Sequence, residues 1–282
     1  MAAEYKGIRL GIGLGRGVRQ AAAVLLAAVM SAVVLFPIYW LFLDSIRPAS
    51  ERYSRVPKFW TALPSFEAYR RLLVPLPFLD IRLLALNSVI VCTASTLLSL
   101  LVGILAGISL ARLRFCGRQG LGNSMFFVYL IPPTLLCIPL YVLAAKFGLN
   151  DTRLGLTLAY CSFNVPFCTW MLRSYFQAIP RELEEAAMVD GCSRLGAWLR
   201  VLLPLAAPGI LTTGVFAFTF SWNEYLYAYI LTESHASRTL AVGLEFGGNS
   251  AAALVIAVPP LVLYLLGQRW IVAGLTAGAV KG

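Results

Sequence analysis

Five long stretches of this chain, residues 21–43, 83–110, 120–145, 154–172 and 250–268, contain no charged side chain, and a sixth, 205–231, contains one, Glu224. A bilayer's hydrocarbon core is about 30 Å thick, so a spanning helix needs about 20 mostly apolar residues. Lipid offers no water to backbone N–H and C=O groups, so such a run must satisfy them within itself, as a helix. The runs are also too long for barrel strands. They predict an all-α, polytopic membrane protein with six transmembrane helices. Composition agrees, with 59% hydrophobic and 13% charged residues against about 25% charged in soluble domains.

The chain reads as one domain, with an N-terminal segment 1–20, a six-helix body 21–268 and a C-terminal tail 269–282. The first run is too long for a signal-peptide core of about 7–15 residues, so it is expected to remain as a helix. Six spans put both termini on one face. Basic residues mark the cytoplasmic face, and they favour both termini inside except for seven of them crowded into the first outer segment, 44–82. There Ser65 precedes Phe66, Tyr69, Leu72 and Leu73, a pattern that predicts a short amphipathic helix on the outer surface. The net charge of +10 sits between apolar runs, which suits an anionic lipid surface and not nucleic acid. Six cysteines lack CxxC spacing. Cys92, Cys137, Cys161 and Cys168 read as buried hydrophobes, while Cys116 and Cys192 fall in loops on the inner face.

The loop 173–204 carries the most information. Pro180 is placed for a first helical turn. Glu182, Glu184 and Glu185 complement the positive end of a helix dipole. Leu183, Ala186 and Ala187 form one apolar face, small enough for a partner to approach closely. Asp190-Gly191 ends the helix, since Gly accepts a left-handed conformation. Ser193 caps a second helix running through Leu195, Trp198, Leu199 and Leu202 to Pro204. The product is a rigid cytoplasmic knob leading straight into the membrane, a shape through which an external motor can move a bundle.

Glu185-Ala186-Ala187, Gly191, Val201 and Leu203-Pro204 together resemble the EAA loop of bacterial ABC importer permeases, with Val201 where that family usually has Ile. Ala111-Arg112-Leu113-Arg114-Phe115, Ser221-Trp222-Asn223-Glu224-Tyr225 and the tail from Gly274 to Gly282 are similar to carbohydrate permeases of the maltose-permease G type. The resemblance implies the type I ABC importer permease fold. It implies a coupling helix docked in a separate ATPase subunit, with Glu184, Glu185, Ala186, Ala187, Asp190, Gly191, Leu203 and Pro204 as coupling residues. It implies a tail, including Gly274, Thr276, Gly278 and Lys281, that reaches toward the ATPase. The implied partners are a second permease subunit, an ATPase dimer and an extracytoplasmic sugar-binding protein. The implied setting is the bacterial inner membrane.

The chain has no GxxxxGK[ST] loop, so ATP and Mg belong to the partner and no cofactor or metal is expected on this subunit. The single histidine, His235, precludes a multi-histidine metal site. An intramembrane acid is a functional candidate. Glu224 is therefore read either as part of an outer aromatic belt, with Trp222, Tyr225, Tyr227 and Tyr229, or as a contact for sugar or binding protein. Ser162, Asn164, Thr169 and Asn223 are candidates for a sugar path, although Asn164 could equally bond a neighbouring helix. The rival reading, a secondary transporter, needs buried carboxylates, and only Glu224 is available. A membrane enzyme would need clustered nucleophiles or bases, which the spans lack.

Overall fold

The structure, a computed structural model, describes residues 16–52, 56, 58–74, 80–243 and 250–279; of residues 16, 17, 49 and 270–279 it describes the backbone alone. The chain divides into two compact units, residues 1–67 and 68–282. In the first, α1 (Arg16–Ser45) is followed by the short α2 (Ala49–Arg52). The chain then folds back along the end of α1. The Arg47 guanidinium lies 4.7 Å from the Trp40 ring centre, Phe59 meets Trp40 edge-on at 5.8 Å, and Ser65 N–H donates to the Ile46 carbonyl at 2.7 Å.

The second unit begins inside α3 (Glu67–Leu73), at Ala68; Ser65 Oγ accepts from Glu67 N–H at the start of that helix. Leu72 turns into the core with Tyr69 packed beside it, while Leu73 stays exposed. So α3 is amphipathic as expected, but with a narrower apolar face. The body is formed by α4 (Ile81–Arg112), α5 (Arg118–Leu130), α6 (Pro133–Lys146), α7 (Arg153–Ala178), α10 (Leu203–Trp222) and α13 (Ser250–Ala279). Shorter elements join them: α8 (Glu182–Val189), α9 (Arg194–Ala197), a π-helical turn (Trp198–Leu202), α11 (Leu226–Leu231) and α12 (Leu240–Gly243).

The central pair is α4 and α7, running the same way side by side. Asp80 caps α4 by accepting from Arg82 N–H, and Thr152 caps α7 by accepting from Gly155 N–H. Glycine sets their separation. A Cβ at Gly103 would lie 2.7 Å from Cys168 Cβ, and one at Gly107 would lie 3.1 Å from the backbone nitrogen of Arg173. Helices in lipid gain little from the hydrophobic effect and depend on such close backbone approach.

Two expected spans are not single straight helices. The third breaks at Ile131-Pro132, where α5 and α6 meet at 95°. Pro132 and Pro133 supply no N–H, and a residue before proline is driven to the extended conformation that Ile131 adopts. The fifth ends at Trp222 and resumes as α11 after Asn223–Tyr225. Among the described residues no strand occurs, and four helices are long and apolar enough to cross a membrane: α1, α4, the continuous stretch Arg194–Trp222, and the described part of α13. The bent α5–α6 pair makes a fifth. With its 26 residues α7 spans about 39 Å at 1.5 Å per residue, but its sequence is more polar. Length and apolarity alone thus give four or five crossings, and a sixth rests on α7.

Candidate functional site

The loop between α7 and α10 folds as a short helix, a turn and a second helix leading into α10. In α8, Cys192 N–H donates to the Ala187 carbonyl and Gly191 N–H to the Met188 carbonyl, at 3.0 and 3.1 Å. This paired pattern closes a helix through a left-handed residue. Gly191 supplies it with φ +92, and a Cβ there would meet nothing within 4 Å, so the backbone conformation alone requires glycine. Ser193 Oγ accepts from Gly196 N–H and caps the next helix. Helix α9 then runs unbroken through the π turn into α10. Pro204 has no N–H to offer the Arg200 carbonyl, and the helix widens there, with Leu203 N–H reaching the Trp198 carbonyl. Pro180 stands outside α8, which begins at Glu182 after Arg181, so the helix starts two residues beyond the proline that the sequence placed in its first turn.

Glu184 does not face outward with Glu185. Its carboxylate accepts from Arg112 Nε at 2.6 Å, with both side chains almost fully buried. Arg112 also donates to the Ile179 carbonyl at 2.9 Å, and Arg181 donates to the Ala111 carbonyl at 2.9 Å. The knob is therefore fastened to the end of α4 by an ion pair and two charge-assisted bonds. Glu185, Ala186 and Asp190 are exposed, and Ala187 is half-buried. Leu183 is 45% exposed and Val189 87%. These apolar side chains form an exposed crest on a rigidly held helix. Sequence reading missed Arg112 as a site residue, since its partner lies 72 positions away.

The path candidates are placed unevenly. Asn164 is fully buried and donates to Ser221 Oγ at 2.7 Å, which in turn lies 3.1 Å from Ser95 Oγ. It therefore ties α7 to α10 and α4, the alternative that the sequence left open. Thr169 is buried with its hydroxyl unpartnered. Ser162 Oγ donates to the Ala159 carbonyl, and Asn223, exposed at the end of α10, donates to the Thr219 carbonyl. Glu224 is half-buried, and its carboxylate accepts from Tyr227 N–H at 3.0 Å and Ala228 N–H at 3.2 Å. It caps α11 where the span breaks, satisfying N–H groups that lipid could not. A partly exposed aromatic strip crosses three helices: Phe126 and Tyr129 on α5, Trp170 on α7, and Phe220 on α10, the last joined to Tyr129 through the buried Phe167. Tyr129 stacks on Trp170 at 6.4 Å, and Phe126 lies 5.4 Å from Trp170. No single sequence window reveals it. Gly274, Thr276 and Gly278 lie on the continuation of α13, whose side chains are not described there, and Lys281 lies outside the described residues.

At the opposite end, Asp151 staples two loops. It has φ +58, and its carboxylate accepts from Glu233 N–H, Ser234 N–H and the Ser237 hydroxyl. Burial pushes this carboxyl up, but the bonds from Ser237, Ser234 and Glu233 outweigh it and hold it at about 2. Arg153 donates to the Ala236 carbonyl, and Asn87 to the carbonyls of His235 and Arg238.

Comparison with known proteins matches residues 99–275 to the family described as the binding-protein-dependent transport system inner membrane component. Over 266 residues the chain is 36% identical to the inner membrane ABC transporter permease protein YcjP of Escherichia coli, covering 90% of this chain and 94% of that one. It is 34% identical to the diacetylchitobiose uptake system permease protein DasC of Streptomyces coelicolor, over 91% of this chain and 95% of the other. It is 31% identical to the trehalose/maltose transport system permease protein MalG of Thermococcus litoralis, again over 91% and 95%. Its fold is similar to a chain of a bacterial ABC transporter that imports the acidic polysaccharide alginate, with a TM-score of 0.71, 24% identity, and coverage of 90% of this chain and 98% of the other.

Proposed function

This chain belongs to the family of inner membrane components of binding-protein-dependent transport systems, and from that premise we propose that it is one permease subunit of an ATP-driven sugar importer. The names of its relatives, which include permeases for diacetylchitobiose and for trehalose and maltose, support sugar as the substrate class. The observation that carries the coupling role is α8, an exposed crest fastened to α4 by a buried ion pair. A separate ATPase would seat this helix through Glu185, Ala186 and the apolar side chains beside them. ATP and Mg are held by that partner. Closure of the ATPase dimer displaces α8, and the displacement passes along two rigid routes. One is the Arg112–Glu184 pair into α4. The other is the unbroken helix from Arg194 through the π turn into α10.

On this reading the α8 face and both termini lie in the cytoplasm, and a binding protein delivers sugar to the opposite face. A second permease subunit completes the path. The aromatic strip of Phe126, Tyr129, Trp170 and Phe220 supplies flat apolar faces of the kind a sugar ring needs. An ion-coupled secondary transporter has less support, because the Glu224 carboxylate is engaged as a helix cap.

The deciding experiment is charge reversal at Glu185. In the assembled transporter, Glu185→Lys is expected to reduce substrate uptake and binding-protein-stimulated ATP hydrolysis at least about tenfold, roughly the loss of one charge-assisted contact. Membrane insertion should be unchanged, because Glu185 is exposed. Uptake at the unmodified rate would refute the coupling role.

A further inference from the structure

A cavity of about 540 Å³ lies between the start of α5 and the end of α7, apart from the coupling crest. Arg114, Arg118 and Arg173 border it with Gln119 and Gln177, and no acidic side chain does. Among the described residues none of the three guanidinium groups is in an ion pair. Arg118 is steadied by bonds to the Leu110 carbonyl at 2.6 Å and the Ala111 carbonyl at 3.4 Å. Arg173 Nε is sealed from solvent with no partner. The guanidinium of Arg173 lies against bare backbone at Gly122, where a Cβ would come within 1.9 Å of Nη1. The start of α5 opens on the same cavity. Its cap, Gly117, has φ +80 and no side chain to offer, so the first N–H groups of the helix, at the cavity's border, have no side-chain acceptor, although Arg118 N–H makes a long bond of 3.4 Å to the Phe115 carbonyl.

Three positive side chains thus border one cavity that no acidic side chain enters, beside an orphaned buried donor and a positive helix end. An anion among them would neutralise the charge and give the orphaned donor an acceptor. Guanidinium groups and helix-start amides together fit tetrahedral oxyanions. We propose that this cavity binds a phosphate group, supplied by the headgroup of an anionic phospholipid. Its rim argues for that source: Phe115 is 42% exposed and Leu121, one turn into α5, 50% exposed, giving apolar surface for acyl chains beside the charge. A basic pocket between helices at the cytoplasmic border is the usual form of a lipid headgroup site. The proposed function enters only in assigning the leaflet, so lipid retention can be tested whether or not sugar is the cargo.

The test is native mass spectrometry of the assembled, detergent-purified transporter with phosphatidylglycerol, phosphatidylcholine or inorganic phosphate added. Phosphatidylglycerol should be retained in preference to phosphatidylcholine. Arg114→Gln and Arg173→Gln should each weaken retention about fivefold, the effect of one basic residue at a membrane surface. Gly122→Ala keeps every charge but drives the Arg173 tip out of place, and it should weaken retention too. Arg70→Gln, on exposed α3, should leave retention unchanged. Competition by inorganic phosphate would support recognition of the phosphate itself. Equal retention of the two lipids, with inorganic phosphate binding at the same arginines, would overturn the lipid source. Retention unaltered in the Arg114, Arg173 and Gly122 variants of an intact complex, or lowered equally by Arg70→Gln, would overturn the site.

Discussion

Arg112 and Glu184 show how one pair of side chains gives a surface helix the rigidity of the bundle. Both are charged and almost fully buried, so each needs the other. Glu184→Gln alone leaves Arg112 buried and unpaired, and it is expected to cost about 3–5 kcal/mol. Replacing both with methionine removes both buried charges and should restore most of that stability. Thermal unfolding of the assembled complex reads both effects, and a double variant less stable than either single one would contradict the pairing. Asp151 makes a different kind of contact, a half-buried staple between loops. Its carboxyl is held at about 2, below the usual 3.8, by three bonds to 233–237. The ionised form is therefore the one that stabilises the fold. Its contribution is complete above about pH 4 and is lost as pH falls through about 2. Hydrogen exchange in 232–239 should rise across that window, and Asp151→Asn should abolish the dependence. The turn at Gly191 was legible in the sequence, because it depends on position along one helix. The roles of Glu184 and Glu224 were not, because each depends on which distant groups lack a partner.

Among the elements, α4 and α7 depend on glycine where they touch, at Gly103 and Gly107. At Gly103 an added Cβ meets Cys168 Cβ at 2.7 Å and backbone at 3.1 Å, and neither can move without shifting a helix. Gly103→Ala is expected to cost about 1–3 kcal/mol by overpacking. Gly122→Ala should cost less, although its nearest clash is shorter, because only the flexible tip of Arg173 must move. The two melting temperatures compare the cases directly, and equal losses would refute the distinction. The existence of the long helices followed from their apolar runs, and the capping of α9 by Ser193 from a single residue. The 95° turn between α5 and α6 was only half legible. Two prolines announce a kink, but its angle is set by what the second half packs against, including the bond from the Tyr227 hydroxyl to the Pro133 carbonyl.

At the scale of the whole molecule, the arrangement makes a topological prediction that native residues can report. Cys116, exposed, and Cys192, half-buried, lie at the end of the bundle that carries α8, while Cys92, Cys137 and Cys168 are buried. A membrane-impermeant thiol reagent should label Cys116 in inside-out vesicles and leave it untouched in intact cells. Labelling in intact cells would place the α8 face outside and remove the proposed ATPase contact. The amino-acid sequence by itself determined that the chain is helical and lives in a membrane, because long uncharged runs leave the backbone no other way to satisfy its hydrogen bonds in lipid. It also determined the short helix α8 and its glycine turn, whose signals are local in the chain. Only the tertiary structure decided where polar groups end up: Asn164 locked between helices, Glu224 closing a broken span, Glu184 bound to Arg112, and three arginines facing one cavity. Those outcomes depend on which groups lie within about 3 Å of one another, and residues far apart in the chain acquire such neighbours only when the helices pack.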